Sequence, residues 1–294
     1  MNYYTIKDLE TLSGIKAHTI RIWEKRYGLL VPERTTTNIR FYTDDELKHM
    51  LNVAALVKRG HKISKVSAYS NDQIHEEVLK LNIKSSSMDD YLDQLVIHIV
   101  DFDTLKFESL LDELQTRFGF EKFIVELVFP LFHKIGVYWQ IGSMFPAQEH
   151  LISNLIRKRL IIESSKFKPA ANPQTALFFL PEGELHELGL LFVQYLVVKH
   201  HFKPIYLGQN VPFEDLKNMA GNTSFDLVVT SFVNVKEKAE MEEYLNELSA
   251  VFNSSRILIS GQQVRIQQPE LPANVHFISH SQDVGDLIAQ IKRR

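Results

Sequence analysis

Two residues of complementary chemistry, Glu184 and His186, stand two positions apart in the segment PEGELHELGLLF at 181–192. A neutral imidazole offers one nitrogen lone pair to a metal, and its other ring N–H needs an acceptor. Metal-binding histidines commonly donate that N–H to a carboxylate, which fixes the tautomer and raises the basicity of the ligating nitrogen. The same pair also fits a helix-capping or surface histidine beside a carboxylate. The segment alone leaves both interpretations open.

Small and polar residues follow that segment at long, defined distances. Forty-one residues separate Gly189 from Ser231 (231 − 189 − 1). Twenty-six residues separate Val233 from the pair Ser260-Gly261 (260 − 233 − 1). Upstream, nine residues separate Trp139 from Glu149-His150 (149 − 139 − 1). By itself this upstream group also fits a buried tryptophan with a surface Glu-His pair.

Basic residues concentrate near the amino terminus, although the whole chain carries a formal net charge of −3. Arg21 and Lys25 have the spacing of one helix face and suit DNA phosphates and guanine edges. An ordinary solvated face is the alternative for such a charge cluster. The segment between Gly14 and Thr43 contains two acidic residues, Glu24 and Glu33. Its basic residues are Lys16, Arg21, Lys25, Arg26, Arg34 and Arg40.

Composition limits the remaining classes of function. The 294 residues suffice for two or three domains, and the absence of cysteine excludes disulfides, thiolate nucleophiles and Cys-ligated metal sites. No apolar run approaches the roughly 18 residues of a membrane span, and the chain does not open on a secretory signal. We therefore expect a cytoplasmic protein with no membrane partner.

The first seventy-odd residues carry the signals of two short helices joined by a tight turn. Thr5 suits the N-cap of a helix over 6–13, which Gly14 ends. A second helix is predicted over 17–26 and ends at Gly28. This arrangement fits a helix-turn-helix, and the stretch LVPERTTTNIRFYT after it fits a small hairpin that forms a wing.

The rest of the chain changes its hydrophobic period once. Helical spacing from Tyr91 to about Ser165 predicts a central four-helix bundle, and KFKPAANPQ after it reads as a linker. Short apolar runs then alternate with helical ones, which predicts a Rossmann-like α/β domain with a five-stranded parallel sheet. The predicted domains are 1–72, 73–168 and 174–294. The strands are predicted at Thr175–Leu180, Pro204–Leu207, Asp226–Thr230, Arg256–Ile259 and Val275–Ile278.

The amino-terminal stretch resembles the winged-helix DNA-binding domain of the MerR family. The matching elements are Y-T-I-x-x-L from Tyr4, T-I-R-x-W-E from Thr19, G-L-x-x-P-x-R from Gly28 and R-x-Y from Arg40. The resemblance implies DNA binding as a dimer on inverted repeats, with Trp23 in a packing role. The residues that it places against DNA are Thr19, Arg21, Tyr27, Arg34, Arg40 and Tyr42.

The carboxyl-terminal spacing resembles the cobalamin-binding signature D-x-H-x-x-G, S-x-L, G-G. By that resemblance His186 is the lower axial ligand of a cobalt, with Glu184 and Ser231 continuing a hydrogen-bond relay from it. Gly189 and Gly261 become positions of close approach to the cofactor. Glu184 replaces the family's Asp, Val233 replaces Leu, and Ser260 replaces the first glycine of the pair, where it would crowd the nucleotide tail.

The upstream group resembles the W-x9-E-H element of adenosylcobalamin-dependent, light-responsive MerR repressors, the CarH/LitR class. In that class the helical bundle forms a cap over the corrin. The resemblance implies that Trp139 packs against the adenosyl group, that Glu149 holds a ribose hydroxyl, and that His150 lines the same pocket. One departure matters, because Gln140 stands where members use a histidine as the upper cobalt ligand after illumination.

These resemblances imply a DNA-binding transcriptional regulator, which we expect to be a repressor and not an enzyme. Adenosylcobalamin would bind between the helical cap and the α/β domain, and photolysis of its Co–C bond would change the oligomeric state and DNA affinity of a dimer or tetramer. The expected operator is double-stranded DNA with inverted or direct repeats. A MerR-type regulator that senses cobalamin without light, or works without cobalamin, is the alternative that Ser260 and Gln140 favour. A corrinoid carrier of a methyltransferase is a third interpretation, against which the helix-turn-helix argues.

Overall fold

The computed structural model of the chain describes residues 4–34, 40–82, 88–140 and 146–291. It divides into two compact units, Met1–Ser153 and Asn154–Arg294. The described part of the first unit is helical apart from one short hairpin, and the second is built on a parallel sheet. Among the helices in these ranges, none is long and apolar enough to cross a membrane.

The amino-terminal helices α1 (Ile6–Ser13) and α2 (Ala17–Tyr27) form the predicted helix-turn-helix. The Thr5 hydroxyl accepts the N–H of Asp8, and the Asp8 carboxylate accepts the N–H of Thr5, so a capping box closes the start of α1. Gly14 ends α1 with φ of +69°, a conformation that glycine adopts without steric cost. Local capping therefore determines both ends of α1, which explains why sequence alone located it.

The predicted wing is also present. Strands β1 and β2 pair antiparallel as Glu33↔Phe41 and Arg34↔Arg40, and the turn between them, 35–39, lies outside the described residues. Three further helices complete this region of the first unit. In order they are α3 (Asp44–Lys58), α4 (Ile63–Val66) and α5 (Asn71–Asn82), after β1 (Glu33–Arg34) and β2 (Arg40–Phe41).

The predicted helical region consists of four helical segments. The third segment runs from 120 to 140 without interruption and includes one π-helical stretch, in which the backbone hydrogen bonds span five residues. The buried Gln148 side chain donates to the carbonyl of Ile99, which fixes the start of the fourth segment against the first. The segments are α6 (Met88–Val100), α7 (Thr104–Phe118), the run α8 (Phe120–Phe123), π-helix (Ile124–Val128) and α9 (Phe129–Gln140), and α10 (Pro146–Ser165).

The second unit contains the predicted five-stranded parallel sheet, with strand order β4-β3-β5-β6-β7. Its strands are β3 (Thr175–Pro181), β4 (Lys203–Val211), β5 (Leu227–Ser231), β6 (Arg256–Ser260) and β7 (Val275–Phe277). The connecting helices are α11 (Leu188–Val198), α12 (Phe213–Asn222), α13 (Lys238–Val251), α14 (Gln262–Gln267) and α15 (Ser281–Ile291). Because the chain passes from β3 outward to β4 and then returns to β5, the strand order reverses beside β3. In open α/β sheets, ligands bind at the carboxyl ends of strands at such a point.

The three central strands are buried on both faces, as their continuously apolar sequences predicted. Leu177, Val228 and Ile257 on one face join a core with Leu216 of α12 and Met241 of α13. The strands therefore provide a rigid base from which the loops at their carboxyl ends project.

Strand β4 is longer than the predicted Pro204–Leu207 because its sequence turns polar before the strand ends. It is an edge strand with an irregular register at Gly208, whose φ is +85°. Gln209 and Asn210 continue the strand with exposed side chains. An apolar run is therefore a poor guide to the end of an edge strand, and these two polar residues extend β4 to the turn after β3.

Candidate functional site

The carboxyl end of β3 leads into a tight turn that carries Glu184 and His186. Gly183 adopts φ of +80°, so the chain reverses directly after the strand without a steric penalty. The side-chain oxygen of Asn210 accepts the N–H of Gly183 at 2.7 Å, and the side-chain amide of Asn234 donates to the Gly183 carbonyl at 2.8 Å. Neighbouring strands on both sides therefore hold the turn in place.

Glu184 is the centre of the hydrogen-bond network of this turn. One carboxylate oxygen accepts the backbone N–H groups of Leu185 and His186, at 3.0 and 3.1 Å. The other accepts the N–H groups of Val233 and Asn234, both at 2.7 Å. Burial alone would raise the pKa of this carboxyl, but the hydrogen bonds from His186, Asn234 and Val233 outweigh it and lower the pKa of Glu184 to about 2.

His186 makes the contact that the sequence predicted. Its Nδ1 atom lies 2.6 Å from a carboxylate oxygen of Glu184. Because Glu184 is ionised at neutral pH and can only accept, the proton of a neutral imidazole resides on Nδ1 and the lone pair on Nε2. The His186 side chain is 58% exposed, whereas that of Glu184 is 6% exposed. The turn thus presents a histidine of fixed tautomer on the surface, supported by a buried carboxylate.

The surroundings of His186 include exposed apolar side chains. Within the described ranges, no group of three or more His, Cys, Asp or Glu side chains is arranged to hold a metal ion. Leu185 beside His186 is 59% exposed, and Val235, after β5, is 89% exposed. Exposed apolar side chains at the sheet edge suit a flat, largely apolar ligand.

Ser231 and Ser260 end neighbouring strands and face each other in the register of β5 and β6. Ser231 is buried, but in the described part of the chain it makes no hydrogen bond to Glu184. The relay that joins Glu184 and Ser231 stays a prediction. The second oxygen of Glu184 is already satisfied by the backbone N–H groups of Val233 and Asn234, just beyond Ser231.

The two predicted glycines have different structural roles. Gly261 has φ of +108°, and a β-carbon there would lie 2.1 Å from the carbonyl oxygen of Phe232. Its lack of a side chain is thus required by the chain itself, where the loops after β5 and β6 cross. At Gly189, in the first turn of α11, a β-carbon would have no described atom within 4 Å apart from its chain neighbours and the backbone of its own helix. A side chain at this position would therefore meet open space.

The three residues expected above the cofactor lie on α9 and α10. Trp139 and Gln140 end α9, and their side chains lie outside the described part of the structure. On α10, one Glu149 oxygen accepts the Ser153 hydroxyl at 2.6 Å, and the other lies 3.3 Å from Nδ1 of His150. The His150 side chain is 73% exposed and that of Glu149 is 40% exposed. Both side chains are accessible to a polar ligand.

Helix α2 carries three of the six predicted DNA-contacting residues, Thr19, Arg21 and Tyr27. Arg21 is exposed, Thr19 and Tyr27 are half-buried, and the Arg26 guanidinium lies 5.4 Å from the centre of the Tyr27 ring. Trp23 is 7% exposed, which confirms its predicted packing role. The opposite faces of α2 therefore separate core packing from a basic surface of the kind that contacts DNA.

Tyr42 contradicts the expectation that it faces DNA. The residue is completely buried, and its hydroxyl donates to the carboxylate of Glu24 on α2. Arg40 of the wing lies 3.6 Å from the same carboxylate. Burial, together with the hydrogen bond to Glu24, raises the pKa of Tyr42 well above its usual range. Tyr42 thus joins the wing to α2 from inside, while the side chain of Arg34 lies outside the described residues.

Sequence reasoning missed the partners that hold the turn. The N–H groups of Val233 and Asn234 belong to the backbone, and every residue except proline has one, so residue types could not predict these two hydrogen bonds. Gln209 donates to the carbonyl of Leu185 at 2.6 Å from the part of β4 that was not predicted. The side chains of Asn210, Asn234 and Gln209 are the partners that residue types could have indicated. Polar residues near strand ends are common, so this signal was weak.

Comparison with known proteins assigns the DNA-binding region and the helical region. Residues 4–73 match the family of MerR HTH regulatory proteins, and residues 91–162 match the B12 binding domain family. Among solved structures, the similarity to the monomethylamine corrinoid protein of Methanosarcina barkeri covers 70% of this chain and all of that one, with a TM-score of 0.53. At 14% identity this likeness shows the fold alone.

Two curated relatives match over most of the chain. The HTH-type transcriptional repressor CarH of Myxococcus xanthus is 28% identical over 251 residues, which is 83% of this chain and 84% of CarH. The repressor CarA of the same organism is also 28% identical, over 82% of this chain and 81% of CarA. The chain therefore combines a MerR-type helix-turn-helix with a B12-binding domain, and it is homologous to the CarH and CarA transcriptional repressors.

Proposed function

We propose that this protein is a transcriptional repressor whose affinity for its operator is controlled by adenosylcobalamin ligated through His186. The observation that carries the proposal is the contact between Nδ1 of His186 and the ionised carboxylate of Glu184. This contact orients the imidazole so that Nε2 is the ligating atom, and it increases the basicity of that atom. The similarity to CarH and CarA supports the output as repression.

The residues around His186 fit a corrinoid better than a bare ion. The corrin fills four cobalt positions itself, so one protein imidazole is a sufficient lower ligand. Leu185 and Val235 offer apolar surface, and Gly189 leaves open space at the start of α11. Ser260 stands where the cobalamin signature has a glycine, but it is only half-buried, so its hydroxyl does not fill a tightly packed position. The donor set and the small residues thus agree with the proposal.

Light sensitivity would come from the cofactor, which supplies a photolabile cobalt–carbon bond. Glu149 is suited to hold hydroxyl groups of the upper ligand because one of its oxygens is already oriented by Ser153. Trp139 and His150 are proposed to contact the same ligand. Gln140 offers no imidazole, so this chain does not provide the upper histidine of the light-responsive class at that position. We propose that loss of the adenosyl group changes the oligomeric state and thereby lowers DNA affinity, since fewer sites are then engaged together.

The experiment compares wild-type protein with His186→Ala, each incubated with adenosylcobalamin in the dark. We expect wild type to bind the cofactor, and the variant to bind at least about tenfold more weakly because it lacks the axial ligand. His201→Asn is the matched control, because His201 is exposed in the same unit and its φ of +67° is tolerated by asparagine. It should bind like wild type.

DNA shift assays on an inverted-repeat operator, before and after green light, then test the output. Tight dark binding that weakens on illumination supports the whole proposal. A bound corrinoid with no effect of light would favour the light-independent cobalamin sensor. Absence of corrinoid binding, or equal binding by wild type and His186→Ala, contradicts the assigned role of His186.

A further inference from the structure

A second buried carboxylate, Glu187, follows directly after His186 and has no place in the cobalamin signature. It is 8% exposed, and each of its oxygens has a side-chain partner. Nε of Arg157 on α10 donates to one oxygen, and the hydroxyl of Tyr206 on β4 donates to the other at 2.8 Å. Three segments of the second unit therefore meet at this side chain: the part of α10 after residue 153, β4 and the start of α11.

Glu187 also restrains the backbone of the turn through its own main-chain hydrogen bonds. Its N–H donates to the carbonyl of Leu185 at 3.0 Å, and its carbonyl accepts the N–H of Leu191 at 2.9 Å. Glu187 thus closes the turn and begins α11 at the same time. Glu184 fixes the backbone of His186 from the preceding side, and Glu187 fixes it from the following side.

We propose that Arg157 and Tyr206 are positioning residues for the ligand His186 and act through Glu187. Both donate to the Glu187 carboxylate. Arg157 neutralises a carboxylate that would otherwise be buried without a counter-charge, and Tyr206 binds the oxygen that Arg157 leaves available. By fixing the Glu187 side chain, they restrain the backbone of Glu187. Because His186 is the preceding residue, this also restrains the orientation of the His186 side chain. This inference rests on the proposed function, because it assigns these residues to the geometry of the same cobalt ligand.

Two measurements keep the inference separate from cobalamin binding itself. The first is hydrogen–deuterium exchange of the turn peptide, about 182–190, in cobalamin-free protein. The second is affinity for adenosylcobalamin in the dark. Tyr206→Phe removes one hydroxyl and should increase exchange in the turn while weakening binding roughly tenfold, about the effect of one hydrogen bond to a charged group. The free energy of unfolding should fall by about 1–3 kcal/mol because a buried Glu187 oxygen loses its donor, so both measurements are made where the variant is fully folded.

Tyr244→Phe is the matched control. Tyr244 is a half-buried tyrosine of the same unit whose buried hydroxyl has no hydrogen-bond partner among the described residues. Removing that hydroxyl should alter neither turn exchange nor cobalamin affinity. If Tyr206→Phe behaves like Tyr244→Phe in both measurements, the proposal is overturned.

A double-variant test asks whether Arg157 acts through Glu187. Arg157→Gln should loosen the turn and weaken binding, whereas Lys158→Gln, an exposed neighbour on α10, should not. Adding Glu187→Gln to Arg157→Gln removes the unpaired charge and should restore much of the loss, so the two changes should not be additive. Additive losses would refute a shared route. If wild type binds no corrinoid, the proposed function fails, while the exchange data still decide whether Arg157 and Tyr206 position His186.

Discussion

The imidazole of His186 and the carboxylate of Glu184 form a directional pair, with Nδ1 lying 2.6 Å from Oε1. The other oxygen of Glu184 is held by the N–H groups of Val233 and Asn234 after β5. The carboxylate therefore connects the turn after β3 to the loop after β5, across the point where strand order reverses. The pair fixes the orientation of the imidazole, and Glu184 also holds the two loops together.

Protonation of Glu184 at low pH should remove the stabilisation that its ionised carboxylate provides. The folded pKa of Glu184, about 2, lies below its ordinary value of 4.5, so its contribution to stability is complete above about pH 4.5 and is lost as pH falls towards 2. That contribution is roughly 3 kcal/mol for a shift of this size. We expect the free energy of unfolding of cobalamin-free wild type to fall between about pH 5 and pH 3 more steeply than that of Glu184→Gln.

Urea denaturation at each pH measures this difference. Glu182→Gln, an exposed neighbour, serves as the control and should follow wild type. A constant difference between wild type and Glu184→Gln at every pH would contradict the assignment of the low pKa to Glu184.

The two glycines of the signature should respond differently to alanine. Gly261→Ala places a methyl group 2.1 Å from the Phe232 carbonyl oxygen, at a φ that L-residues rarely adopt. We expect a loss of about 3 kcal/mol or more in the free energy of unfolding, with reduced cobalamin binding as a consequence. Thermal unfolding in the absence of cofactor checks this, and an unchanged melting temperature would show that the loops do not cross as described.

Gly189→Ala should instead preserve stability or raise it by about 0.5–1 kcal/mol, because a helical glycine is replaced in open space. If the cofactor approaches α11 closely, this variant binds adenosylcobalamin more weakly although it is no less stable. Titration in the dark decides the point. If Gly189→Ala binds adenosylcobalamin as tightly as wild type does, Gly189 is not part of the cofactor site.

Sequence predicted most of the architecture because the signals for it are local. The capping box at Thr5 determines the start of α1, and the apolar runs of β3, β5 and β6 identify a sheet that is covered on both sides. Tyr42 was placed wrongly because its partner Glu24 lies eighteen residues away on another element. The exposure of a residue depends on such distant partners, and neither hydrophobic periodicity nor motif spacing predicts them.

The site itself was only half accessible to the same reasoning. The pairing of Glu184 with His186 spans two residues and follows from their chemistry. The role of Gly261 depends on the backbone of Phe232, and that of Glu187 depends on Arg157 and Tyr206. These contacts join segments about 19 to 30 residues apart in the chain, and only the folded sheet brings them together.

Ion pairs attach the DNA-binding region to the helical region within the first unit. Asp93 on α6 binds Lys58 of α3 at 3.3 Å and also binds Lys134 of α9. Asp93→Asn should lower the free energy of unfolding by about 1 kcal/mol at low salt, because both lysines lose a partly screened counter-charge. The loss should shrink at high salt. Asp89→Asn, at an exposed position on α6, should have no effect; a salt-independent loss for Asp93→Asn would exclude an electrostatic origin.

Arg21 and Tyr42 should separate DNA contact from support of the wing. Arg21→Ala removes an exposed cation from α2 and should weaken operator binding by about 1–3 kcal/mol without changing the melting temperature. Tyr42→Phe leaves the Glu24 carboxylate, whose side chain is 9% exposed, without its hydroxyl donor. It should lower the free energy of unfolding by about 1–3 kcal/mol.

Operator titrations over a range of salt concentrations distinguish the two variants. If Arg21 contacts a phosphate, Arg21→Ala reduces the salt dependence of binding by about one counterion, whereas Tyr42→Phe leaves the slope unchanged because no phosphate contact is lost. An Arg21→Ala protein that binds the operator like wild type would place α2 away from DNA. A reduced slope in Tyr42→Phe would mean that the tyrosine leaves its buried position to reach the phosphate backbone.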